Sequence, residues 1–323
     1  MSFVERLFSN KWGACLGFQI CIIFITASGA ILSYKQEKYG DGLPIFSIGT
    51  GYVFAWIVLV WMWPKGKGKW WNILFVTLFI VPGDCCGCIA YSQTSLASAM
   101  LIITTVIFRA APLAYIFFKR KINWIQFLSM LLGMGGVSMV MVAQGTKGSK
   151  LKGNLFALGA SLLYSFGTMF QEKCSKEYGP ILYTCRFTSL AIPFTFALSA
   201  GLERNAIKNY HWDTTAIALQ VAYSVAIGTN YIVMAFILKY SDATVMNLNN
   251  LTGNFYSLAV DIFFFGRPFN WLYLLGFFCI PIAVIIFLLC ESKPKKDEIP
   301  DDRPLISAYE STESALDESS AQK

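Results

Sequence analysis

Ten apolar stretches, each about as long as a bilayer core is thick, run in close succession along this 323-residue chain. A membrane-spanning helix needs roughly 20 apolar residues. Stretches of that kind cover residues 12–34, 43–63, 70–91, 95–118, 122–143, 153–172, 181–201, 214–238, 243–265 and 270–290. Only 14% of the residues carry charge, against about 25% in soluble domains. Too few charges remain to cover so much apolar surface in water, so lipid must solvate most of these side chains. The first stretch is longer than a signal-peptide core of about 7–15 residues, and it reads as the first span.

The predicted fold class is therefore an all-α integral membrane protein of ten transmembrane helices. Residues 1–11 precede the first span, and residues 291–323 follow the last. That final segment is rich in Lys, Asp, Glu, Ser and Pro. It cannot bury enough surface to offset its ordering entropy, so a disordered tail is expected. Within it, Asp301-Asp302-Arg303-Pro304-Leu305-Ile306 has the form of an acidic dileucine sorting signal, with Asp301, Leu305 and Ile306 as the residues a sorting adaptor would read.

Lys and Arg set the expected orientation. With the amino terminus in the cytoplasm, 14 basic residues fall on the inside, among them Lys65, Lys67, Lys69, Lys119, Arg120 and Lys121. Eight fall outside: Lys35, Lys38, Lys147, Lys150, Lys152, Arg204, Lys208 and Arg267. The bias predicts that both termini are cytoplasmic. The net charge of +7 is spread in these short loops and forms no continuous basic patch, which argues against nucleic-acid binding.

An internal repeat appears when the chain is shifted by 147 residues. Phe117, Phe118, Arg120, Asn123 and Trp124 then coincide with Phe264, Phe265, Arg267, Asn270 and Trp271. Upstream, Leu101, Thr105 and Phe108 coincide with Leu248, Thr252 and Phe255. The two copies begin five spans apart, an odd number, so they face opposite ways across the membrane. Residues 12–143 and 153–290 thus read as a five-plus-five inverted repeat. Such repeats underlie alternating access around a site near the midplane.

Polar groups in the spans locate candidate site residues. In the ninth span Asn247, Asn250, Asn254, Ser257 and Asp261 fall at offsets 0, 3, 7, 10 and 14, within roughly 80° of one another on a helix. Hydrocarbon rejects unpaired amides, so this wall must face other helices or a watery cavity. Hydrogen-bonding glue between helices is the structural alternative. The fourth span carries Arg109 well inside its apolar run, where a cation costs about 2.5–3.5 kcal/mol and needs an acceptor. The nearest intramembrane acid in sequence is Asp84 on the third span. The two differ in depth by roughly 12 Å at the helical rise, so a shared polar cavity is expected in preference to a direct ion pair. The sixth span lines up Ser161, Tyr164, Ser165, Thr168 and Glu172, with Glu172 near enough to its end to reach water. Arg186, early in the seventh span, is expected to extend to the interface.

Other chemistries lack their residues. The single histidine, His211, leaves no His-based acid–base pair. Asp84-Cys85-Cys86-Gly87-Cys88 has no second Cys/His pair that would complete a metal site, and Gly66-Lys67-Gly68-Lys69 lacks the spacing of a phosphate loop. No cofactor, metal centre or enzymatic activity is expected.

These residues resemble the drug/metabolite transporter superfamily, and within it the F branch of solute carrier family 35. The stretch from Asp242 to Phe287 is similar to the family's ninth and tenth spans, including the Tyr-Ser-Leu step that contains Tyr256. Asp84, Tyr91 and the turn from Gln93 to Ser98 resemble the end of the third span and the start of the fourth. The chain departs from the family at Ile103, where an acid is common, and at Arg109, where an apolar residue is usual. The resemblance implies a ten-helix fold that carries small organic solutes. Related carriers move nucleotide sugars, and some F-branch members are associated with nucleobase-like or vitamin-like compounds. The expected function is secondary transport of a small polar organic solute, with Asp84, Arg109, Asn247, Asn250, Asn254, Tyr256 and Asp261 at its site. The alternatives are a nucleotide-sugar antiporter of the endomembrane system and a non-transporting membrane receptor or scaffold. The plasma membrane or an endosomal, lysosomal or Golgi membrane would suit the chain, and a homodimer is compatible with it.

Overall fold

The apolar stretches fold as helices because a chain in hydrocarbon must satisfy every backbone N–H and C=O within itself. The computed structural model describes residues 11–61, 69–106, 108, 123–144, 149–240, 243–267 and 271–290. Arg109, the rest of the fourth span beyond it and the tail with its Asp301, Leu305 and Ile306 lie outside the described residues. In chain order the helices are α1 (Lys11–Tyr39), α2 (Pro44–Val60), α3 (Trp70–Gln93), α4 (Leu96–Thr104), α5 (Trp124–Gln144), α6 (Ser149–Tyr178), α7 (Pro180–Leu202), the short α8 (Arg204–Asn209), α9 (Thr214–Tyr240), α10 (Ala243–Phe263) and α11 (Trp271–Leu289). No strand occurs among the described residues.

Four of these helices contain segments long and apolar enough to cross a membrane: Leu16–Tyr39, Trp70–Gln93, Pro180–Leu202 and Thr214–Lys239. Shorter apolar segments occupy Pro44–Val60, Trp124–Val140 and Trp271–Ala283. The helices α6 and α10 are less apolar because each carries one of the polar stripes. On α10 that stripe turns inward, with Asn254, Ser257 and Asp261 all buried. Large apolar side chains such as Ile20, Ile57, Phe75, Val221 and Phe278 face outward instead, as lipid-facing helices require.

Two apolar clusters organise the interior. One draws Leu32 of α1, Ile48 and Tyr52 of α2, Ile80 and Val81 of α3, Phe187 of α7 and Tyr223 of α9 together. The other joins Leu101 and Ile102 of α4 to Val140 of α5 and to Phe277 and Ile280 of α11. Between them α3 lies along α6.

Several basic residues assigned to loops by the sequence reading belong to helices, Lys35, Lys150 and Lys152 among them. Lys35 is fully buried in the penultimate turn of α1, and Lys150 and Lys152 fall in the first turn of α6. Both helices extend several residues past the apolar run that marks them, because polar residues can continue a helix without continuing its hydropathy. Arg186 is also buried, its guanidinium 4.8 Å from the centroid of the Trp70 ring, so it stacks on an aromatic face and does not extend outward.

Candidate functional site

Asp84 sits in the middle of α3 and is only 7% exposed. A carboxylate buried in this way costs free energy unless donors satisfy it. Three tyrosines supply them, each from a different helix. Tyr164 of α6 donates its hydroxyl to Oδ1 at 2.7 Å. Tyr52 of α2 and Tyr231 of α9 both donate to Oδ2. Among the described residues Asp84 forms no ion pair, and the donors that satisfy it are the three hydroxyls.

Small residues let the three hydroxyls converge. A Cβ on Gly83 would stand 2.9 Å from Cε1 of Tyr164, so only glycine admits the α6 ring against α3 beside Asp84. A Cβ on Gly228 of α9 would stand 2.8 Å from the carbonyl oxygen of Gly51 on α2. The two backbones therefore approach closely, as small residues permit between membrane helices. That approach brings Tyr52 and Tyr231 onto one carboxylate oxygen, with their ring centroids 5.2 Å apart. Phe187 of α7 packs edge-on to Tyr52 at 5.6 Å and lies 5.9 Å from Tyr231. Tyr183 stacks on Phe187 at 5.8 Å. The result is a carboxylate walled by aromatic rings from four helices. Such a cage can accept N–H or cationic donors at Asp84 when a hydroxyl is displaced.

The other sequence-predicted residues occupy different surroundings. Asn254 is fully buried; its Nδ2 donates to Oγ1 of Thr104 at 3.3 Å, and its Oδ1 has no partner among the described residues. A buried amide oxygen without a donor is rare in proteins. Asn250 is half-buried on the same helix, and Asn247 lies one turn nearer its start. Tyr256 is 39% exposed, and its hydroxyl donates to Oε1 of Gln19 at 3.0 Å, tying α10 to α1. Asp261 accepts the backbone N–H of Ala97 at 2.8 Å and pairs with Arg267 at 2.9 Å. It thereby caps the first turn of α4. Asp84 and Asn254 thus have separate partners, and Asp261 and Tyr256 spend their polar atoms joining helices.

Sequence reasoning missed Tyr52, Tyr231 and Phe187. Their signal is faint: each is an aromatic inside an apolar run, and only the tertiary fold shows that the two hydroxyls share one acid. Also missed was the polar layer beside the cage, in which Lys35 donates to Oγ of Ser47 at 3.0 Å and to Oε1 of Gln220 at 2.6 Å.

A bundle of apolar helices that buries an acid and an amide oxygen without a donor has the character of an integral membrane protein. Comparison with known proteins gives that class a family. The sequence model of solute carrier family 35, F branch, matches residues 13–289. Solute carrier family 35 member F2 of Mus musculus is 26% identical over 310 residues, covering 90% of this chain and 80% of the relative. Its counterpart in Xenopus tropicalis is 24% identical over 304 residues, covering 88% and 76%. One solved crystal structure superposes with a TM-score of 0.61 over 88% of this chain and 98% of its own, at 10% identity, which shows a shared fold alone. The chain belongs to solute carrier family 35, F branch, and is a membrane transporter.

Proposed function

We propose that this protein carries a small, flat, polar organic solute of nucleobase-, nucleoside- or vitamin-like chemistry across its membrane by alternating access, and that Asp84 in its tyrosine cage is the primary contact. The observation that carries the reading is a buried carboxylate whose donors among the described residues are all hydroxyls. A hydroxyl can be exchanged for the N–H edge of a solute, whereas a buried salt bridge could not be opened without leaving a charge uncompensated. The rings of Tyr52, Phe187 and Tyr231 offer stacking faces to a heterocycle. Asn254 supplies a second polar point through its unpartnered Oδ1. Asn250, Asn247 and Arg109 complete the proposed polar lining. Asp261 and Tyr256 support it from the helix junctions.

The architecture we infer is ten spans in two inverted halves, residues 12–143 and 153–290, with both termini in the cytoplasm. The repeat supports it through the coincidence of Phe264, Arg267 and Trp271 with Phe117, Arg120 and Trp124. Uptake of labelled nucleobases, nucleosides and vitamins by cells expressing the protein tests the function. Asp84→Asn at equal surface level should reduce uptake to background. Undiminished uptake by that variant would remove Asp84 from the site.

A further inference from the structure

At the end of the bundle that carries Tyr39 and Asp213, the first turn of α2 lacks a cap of its own. Its N-cap residue is Leu43, which offers no side-chain acceptor and holds φ at 46°, in the left-handed region. Helix N-termini leave backbone N–H groups that need an acceptor. Here the acceptor comes from another helix, 158 residues away in sequence. Glu203, directly after α7, takes the N–H of Ile45 on Oε1 at 2.8 Å and the N–H of Phe46 on Oε2 at 2.7 Å. Oγ of Ser199 also donates to Oε2 at 2.9 Å. The carboxylate is 6% exposed, and the partial positive charge of the helix start adds to its hold.

The same level of the bundle is tied laterally. Lys35 of α1 reaches Ser47 of α2 and Gln220 of α9. Gln220 donates through Nε2 to Oγ1 of Thr50 at 2.7 Å, and Ser224 donates to the same oxygen at 2.8 Å. One hydrogen-bonded layer thus links α1, α2, α7 and α9. Those last three helices also carry Tyr52, Phe187 and Tyr231 of the cage. On α2, Tyr52 lies five residues beyond Ser47, about 7.5 Å along the axis. On α3, Cys88 is one turn from Asp84 toward this layer, its Sγ 3.1 Å from Oη of Tyr223. The layer therefore stands between the cage and this end of the molecule.

We propose that this layer is a closed gate and that Glu203 is its latch: the path from this end to Asp84 opens when the amides of Ile45 and Phe46 release the carboxylate and the start of α2 swings away from α7. A cap borrowed from a neighbouring helix suits that task. It holds firmly while seated, yet its release breaks no bond inside either helix. In the turn before α2, Gly40 and the buried Leu43 both take positive φ, a region that costs a leucine free energy, so the seated latch holds a turn that release can relax. The proposal rests on Asp84 as the solute site only for the meaning of the path, since the latch can be tested without a solute.

The test uses the full chain purified in detergent, with Cys88 retained as the single cysteine, and follows its labelling by a small maleimide. Glu203→Ala should raise that labelling rate by about tenfold or more, as expected for losing two charge-assisted hydrogen bonds. Glu203→Gln keeps an acceptor oxygen and should raise it less; it carries the same test if the alanine variant does not purify. A second protein keeps Cys185 alone, a buried cysteine near the opposite end of α7, and its rate should not change. An unchanged rate at Cys88 would overturn the latch. Equal rises at Cys88 and Cys185 would also overturn it, by showing that Glu203 merely holds the bundle together.

Discussion

Asp84 and Glu203 are both buried carboxylates that accept three hydrogen bonds, but their donors differ in kind. Glu203 faces two backbone amides at a helix start and one serine hydroxyl. Asp84 faces three tyrosine hydroxyls from three helices. Backbone donors move only when a helix moves, whereas a hydroxyl rotates on its own ring. The first arrangement fixes one helix against another. The second leaves an acid that a solute can approach by displacing a donor. Asp261 belongs with Glu203, since it caps α4 and pairs with Arg267. Burial of an acid in this protein therefore does not by itself identify a solute site; the proposed assignment of Asp84 rests on the mobility of its donors.

Substitutions can press on that distinction. The largest effect is expected from removing both donors to Oδ2 at once. Tyr52→Phe with Tyr231→Phe should lower the KM for uptake by about tenfold or more, because the solute no longer has to displace a hydrogen bond to a charged group, which contributes about 1.5–3 kcal/mol. Tyr164→Phe alone removes the one donor to Oδ1 and should lower the KM by up to about tenfold on the same scale. Uptake kinetics at matched surface expression check both. A near-normal KM in the double variant would place the solute elsewhere.

Gly228→Val probes the close approach that aligns two of the hydroxyls. Its added atoms would meet the Gly51 carbonyl and the Phe54 ring, and overpacking of this kind costs about 1–3 kcal/mol, visible as a lowered melting temperature. Asp261→Ala should lower stability by about 1 kcal/mol, the usual value of a helix cap, while uptake per folded molecule stays within about twofold. A hundredfold loss there would erase the contrast between capping acids and Asp84.

The smallest effect concerns Asp213, which accepts the N–H of Ala216 at 2.7 Å and the Tyr39 hydroxyl at 2.8 Å. The Ala216 amide, then the Tyr39 hydroxyl, hold its carboxyl below the ordinary aspartate range. Its contribution is therefore present above the unfolded-state value and disappears as pH falls through the lowered one. Asp213→Asn should lower the melting temperature slightly at neutral pH, flatten the acid limb, and leave the melt unchanged at low pH, where Asp213 is already protonated.

The helices are legible in the sequence because hydrocarbon enforces both their length and their apolarity, and the limits at Pro44, Trp70, Pro180 and Thr214 coincide with the apolar runs to within a residue. Asp84 is legible for the same reason, as an acid in an otherwise apolar helix. The inward turn of Asn254, Ser257 and Asp261 follows from their helical spacing. What stays hidden is pairing across helices. No periodicity tells that Tyr52 and Tyr231 meet at one oxygen, or that Glu203 completes a helix beginning at Pro44. Lys35 escapes notice because it stands just past the end of an apolar run, where a lysine in a loop looks the same as one sealed against Ser47 and Gln220. Arg186 misleads in the opposite sense, since a long cation near a helix end can reach water or, as here, stack on Trp70.

The central claim is that Asp84 and its tyrosines receive the solute. Thermal unfolding of the purified wild type and of Asp84→Asn, scanned against nucleobases, nucleosides, vitamins and nucleotide sugars, tests it most directly. A ligand at 100 times its dissociation constant should stabilise the wild type by about 2.7 kcal/mol and leave the variant unmoved. A ligand that stabilises both proteins equally would contradict it.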